Sequence, residues 1–145
     1  MRDHFESSLW AMTRVQRILP VAVGALAAYE LALGLWMVVA PRSFYDQVAA
    51  FGGYPPHFIR DVATWQVALG VTLAAAVGRA SWRPPLLAFA AMQTGLHAIN
   101  HWLDVDDASS LALGLFDAIS LTVLFVVIAA LWRAAATLPT KELSP

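Results

Sequence analysis

The chain has 145 residues, 59% of them hydrophobic and 13% charged, with a net charge of −1 and a mean hydropathy of +0.63. A soluble domain carries roughly a quarter charged residues, so this composition excludes a single water-exposed domain and makes lipid the natural solvent for the excess apolar surface. No basic stripe points to nucleic acid. With no cysteine, there is no disulfide staple, thiolate metal site or thiol–disulfide exchange, which rules out a quinone-linked thiol oxidoreductase.

The expected architecture is all-α. It is an integral membrane four-helix bundle with a short interfacial helix between the first and second spans, forming one domain over 1–145. A spanning helix needs about 20 mostly apolar residues. The first span is expected over 18–40, opened by Pro20 in its first turn and stopped by Pro41. Its apolar run exceeds the ~7–15 residues of a secretory signal, so it reads as a retained span. The segment 41–57, PRSFYDQVAAFGGYPPH, follows. Ser43 with Asp46 three residues on reads as an N-cap signal. Phe44, Tyr45, Val48 and Phe51 would then face the bilayer from a short interfacial helix that breaks at Gly52–Gly53.

The second span is expected over 58–78, the third over 85–103 and the fourth over 110–132. Each crosses ~30 Å at 1.5 Å per residue, the third only just. The ends, MRDHFESS and TLPTKELSP, read as short polar tails. Arg2, Arg14, Arg17, Arg79, Arg83, Arg133 and Lys141 fall on one side of these spans, against Arg42 and Arg60 on the other. Positive charge favours the cytoplasmic side, so both termini are expected there, with the protein in the inner (plasma) membrane. Trp10, Trp82, Trp102 and Trp132 fall near the interfaces, as belt residues do. Gly24, Ala28 and Ala32 form a small-residue stripe for helix packing on the first helix, and Gly114, Ala118 and Thr122 form another on the fourth.

Ionisable groups inside a membrane are expensive, so each asks for an explanation. By helical rise, His97 lies roughly 9 Å below the outer end of its span, Asp117 roughly 10 Å, Gln66 about 12 Å and Glu30 about 15 Å. All fall in the outer half. On the third span Gln93, His97, Asn100, His101 and Asp104 share one side. A polar stripe is expected to turn away from lipid. These residues predict an outward-opening pocket lined by Glu30, Gln66, Gln93, His97, Asn100, His101 and Asp117.

Three readings stand for that pocket. Its polar side chains bond one another and hold the bundle in register; or it binds a small or lipid-like ligand; or it holds a metal, in a redox-linked membrane enzyme. For metal, His97 and His101 supply imidazoles at i, i+4, and Asp104, Glu30 or Asp117 completes the set. No H-E-x-x-H or E-x-x-H pair is present, and a bis-histidine haem would need a second helix to offer a histidine, where only loop residue His57 is at hand. Arg60 and Asp61 read as a local pair at a helix start, and Asp104, Asp106 and Asp107 as a solvated turn. A chain this small without a catalytic motif also fits an accessory role beside a membrane-protein partner, or a homo-oligomer.

The layout resembles the DoxX-like group of small four-helix bacterial membrane proteins. The residues that carry the resemblance are PRSFY (41–45) at the end of the first span and FIRDVATWQVALG (58–70) opening the second. It covers residues 18 to 132 as a pattern of spans. It implies a bacterial four-span protein. Thiol or quinone redox links belong to some members, and the absence of cysteine leaves no thiol role to carry over. HAINHWLDVDD (97–107) gains no function from the resemblance.

Overall fold

The computed structural model describes the backbone of residues 2–138 and the side chains of residues 14–138. Five α-helices account for most of them: α1 (Arg2–Val39), α2 (Pro41–Gln47), α3 (Pro56–Gly78), α4 (Arg83–Leu103) and α5 (Leu111–Thr137). Short 3-10 turns, Ala80–Trp82 and Val105–Asp107, lead into and out of α4. Three helical stretches are long and apolar enough to cross a membrane: Arg14–Val39, Pro56–Gly78 and Leu111–Thr137. The polar side chains of α4 keep that helix out of this set, although at 21 residues it is long enough.

The helices begin and end near the limits expected for the spans, except that α5 continues past Trp132 to Thr137 and that α1 starts earlier. The expected polar tail there is helical: α1 runs back through Pro20 to Arg2. The side chains of Arg2 and Trp10, and Lys141 in the C-terminal segment, lie outside the described residues. At α2 the expected cap is also corrected. Pro41 occupies the first turn, where its missing N–H costs nothing, and no side chain caps the helix. Ser43 lies inside the helix, accepting hydrogen bonds from the Trp36 indole N–H (3.3 Å) and the Gln47 amide (2.9 Å). Phe44 is buried rather than lipid-facing, set edge-on against Trp36 at 5.4 Å. It closes a small core with Met37, Ile59 and Ala63.

Arg60 and Asp61 are not partners; His57 stands 3.5 Å from the Asp61 carboxylate, both highly exposed in the first turns of α3. Ser110 caps α5 as its position suggests, accepting from the Leu113 N–H at 3.3 Å.

The long helices pair as two antiparallel hairpins, α1 with α3 and α4 with α5, with slighter contact between the pairs. The small-residue stripe expected on α1 is not the seam: Ala28 and Ala32 are exposed. Close approach comes instead from Gly34 and Gly70. A Cβ at Gly34 would lie 2.8 Å from Val67 Cγ2, and one at Gly70 would lie 2.7 Å from Leu31 Cγ. Lipid is as apolar as a core, so dispersion across such close seams holds the helices together. On α5 the expected stripe does pack. Gly114 and Ala118 are buried, a Cβ at Gly114 would run into the Val105 carbonyl oxygen, and Thr122 accepts from the Trp102 indole at 3.0 Å.

Toward the chain termini one apolar core joins all four long helices. Val23, Leu73, Leu87 and Ile128 are its fully buried centre, with Leu19, Leu26, Leu69 and Ala90 around them. Arg83 closes this end, its guanidinium donating to the carbonyls of the last turn of α3 at Ala76 (2.9 Å) and Val77 (2.6 Å). At the opposite end the two interhelical loops join the hairpins. Phe51 pairs with Ala108 as an isolated bridge, and the Ser109 N–H bonds the Ala50 carbonyl at 2.9 Å.

Candidate functional site

Between the apolar core and the paired loops lie the two buried carboxyl groups of the helices. Glu30 is 3% exposed and Asp117 is 7% exposed. Glu30 Oε2, Asp117 Oδ2 and His101 Nδ1 are buried without a hydrogen-bond partner. Buried polar atoms are nearly always satisfied, and each such vacancy costs about 1–3 kcal/mol. Three within one half of a small bundle mark a place where polarity is kept at the expense of stability.

Of the seven predicted pocket residues, three come together. His97 and His101 stand one turn apart on α4 with their Nε2 atoms 3.0 Å apart, ring centroids 4.7 Å apart and planes tilted by 30°. Asp117, on the facing turn of α5, is near enough to His101 to interact with it electrostatically. Glu30 and Gln66 belong to the other hairpin. Gln66 sits at the α1–α3 seam, its Cβ beside the hydrogen face of Gly34. Among the described residues no hydrogen bond links Glu30 or Gln66 to the α4–α5 group.

The expectation that the whole α4 stripe turns inward is corrected. His97 and Asn100 are exposed, while Gln93, His101 and Asp104 are half-buried. The buried face of α4 is Leu87, Ala90, Ala91, Thr94 and Ala98, set to one side of the stripe. The physical reason is the partner. Gly95 and Trp102 turn toward α5, where Phe125 and Thr122 receive them. Phe89 turns toward α3 and stacks on Trp65 at 6.4 Å. Gln93 and His97 follow Phe89 at steps of four, so they lie on the flank of α4 turned toward α3, where contact is slight beside that within each hairpin. Small Ala and Thr side chains take the tightest face because they permit close packing.

Asp104 does not join the histidines as a ligand: among the described residues no three His, Asp or Glu side chains are gathered closely enough to hold a metal ion. Two residues that sequence reasoning left outside the site belong to it. Phe51, expected to face lipid, sets its ring edge-on to His101 at 5.0 Å and covers the loop end. Thr94 is 3% exposed and lies beside Gln93. The pairing of the two loops places Phe51, and no local pattern announces a contact between segments so far apart in sequence. No family model, curated protein or solved structure matches this chain.

Proposed function

We propose that this chain is a four-span protein of the inner (plasma) membrane that binds a small or lipid-like ligand in a polar pocket between its two hairpins. The observation that carries the reading is the trio of buried, unpartnered polar atoms on Glu30, His101 and Asp117. A ligand head group offering hydrogen-bond donors would satisfy both carboxyl groups, while its apolar part lies among the surrounding aliphatic side chains. Gln93, His97 and Asn100 lie along the α4 flank beside it, and Gln66 at the α1–α3 seam. The exposed flank of His97 and Asn100 supports entry from the bilayer side. The DoxX-like pattern of spans agrees with the placement and assigns no ligand.

In this reading α4 is the third of four spans despite its polar stripe, and both termini are cytoplasmic, as the seven-to-two division of Lys and Arg favours. Asp106→Cys and Ser81→Cys in this cysteine-free chain test the orientation: an impermeant thiol reagent added outside cells should label position 106 and not 81. For the ligand, the protein is extracted in mild detergent and weighed intact by native mass spectrometry. A bound small molecule in the wild type that is lost from Glu30→Gln/Asp117→Asn, with helicity retained, supports the pocket. A wild type that carries nothing sinks it, and a stoichiometric protein partner in its place would make the chain an accessory subunit.

A further inference from the structure

We infer that His97 and His101 form a two-imidazole site for a zinc-class divalent ion, with Asp117 as the outer partner that orients His101. The proposal goes beyond the ligand pocket: the two ligands and their outer partner lie on the α4–α5 hairpin, and Glu30 has no part in it.

The first observation is the bite of the two rings. Their Nε2 atoms lie 3.0 Å apart on adjacent turns of one helix. Two nitrogens each about 2.0–2.1 Å from one ion, at angles between a right angle and tetrahedral, stand about 2.9–3.4 Å apart. The separation of the pair is therefore that of two nitrogens on one ion. A hydrogen bond between the rings has the same length, and accounts for less. It uses one proton between the two Nε2 atoms and leaves Nδ1 of His101 buried with nothing to bond, whichever tautomer is chosen.

The second observation is that unsatisfied Nδ1. An ion on Nε2 fixes the proton on Nδ1, which makes that atom a donor. On α5, the helix packed against α4, Asp117 is a 7% exposed carboxyl whose Oδ2 also lacks a partner. A carboxylate behind a ligating imidazole is the usual outer support of a metal-bound histidine. One ion thus gives a role to two of the three unpartnered atoms. Phe51, edge-on to His101 at 5.0 Å, steadies the ring from the loop side.

The donor set selects the ion. Two neutral nitrogens favour zinc, cobalt, nickel or copper over calcium or magnesium, which need oxygen ligands. With no third protein ligand among the described residues, the remaining positions are open to water or an exogenous ligand, as at an exposed His97 they can be.

The purified protein, stripped with a chelator, is titrated with cobalt(II) by its visible spectrum and then with zinc in competition. One equivalent should bind. His97→Gln and His101→Gln should each weaken it about tenfold or more, and Asp117→Asn should weaken it roughly 10–100-fold with the stoichiometry unchanged. His4→Gln/His57→Gln and Glu30→Gln should leave it as it was; the last of these separates this site from the ligand pocket. Should the histidine variants fail to fold, the wild type decides: zinc should protect His97 and His101 from diethyl pyrocarbonate while His57 continues to react. Absence of saturable binding, wild-type affinity retained in both histidine variants, or absence of protection would overturn the site.

Discussion

The two halves of the bundle are built on opposite terms. Toward the chain termini, Val23, Leu73, Leu87 and Ile128 are sealed from the surroundings, and all four long helices meet there. Toward the paired loops, the same helices carry Glu30, His97, His101 and Asp117, with three buried polar atoms unpartnered. The first half holds the fold by close contact, since apolar burial by itself gains little against lipid. The second half spends part of that stability on polarity. The difference teaches where to look for function in a protein whose long helices are largely apolar: at the polar atoms the fold has buried and not satisfied.

Substitutions sharpen or break this division. The largest effect is expected at the α1–α3 seam. Gly70→Val places two methyl groups where a Cβ alone would be 2.9 Å from the Leu31 backbone nitrogen, so the helices must part, at a cost of about 3 kcal/mol. Denaturant titration in mixed micelles should show it, and an unchanged midpoint would mean that the seam is looser than described. Leu73→Ala in the sealed half should cost about 2 kcal/mol, the cavity part of such a loss, because the transfer part nearly vanishes in lipid.

Smaller effects are expected on the polar side. Glu30→Gln should change stability by no more than about 1 kcal/mol and in the favourable direction, because an unpartnered carboxyl is exchanged for a neutral amide. A loss comparable to that of Leu73→Ala would show that Glu30 serves packing, and would erase the contrast between the halves. Least of all is expected from Gly24→Ala. The added Cβ meets only Val77 Cγ2 at 3.6 Å, an ordinary contact, so the midpoint should stay within about 0.5 kcal/mol of the wild type.

The sequence by itself determined the helices and their limits. Apolar runs between Pro41, the Gly52–Gly53 break, Arg79–Pro85 and Ser110 left few other places for helices to begin or end, because proline lacks a donor and glycine gives up most entropy when ordered. It also placed the polar groups in one half, since depth along a helix follows from counting residues. It did not extend α1 to Arg2: Pro20 reads as an opening, yet a helix tolerates it when the turns on both sides continue.

Which face of each helix met which neighbour was decided only by tertiary structure. Gly34 and Gly70 became the seam of the first hairpin and the Gly24–Ala28–Ala32 stripe did not, because in a chain rich in small residues many faces permit close approach and only mutual fit selects one. In the same way Gln93, His97 and Asn100 came to a flank, while Ala91, Thr94 and Ala98 took the tight face of α4. The pairing of His97 with His101 was legible at i, i+4. The arrival of Phe51 against His101 was not, because it depends on two loops meeting through the Phe51–Ala108 bridge, a contact between segments whose distance in sequence leaves no periodic trace.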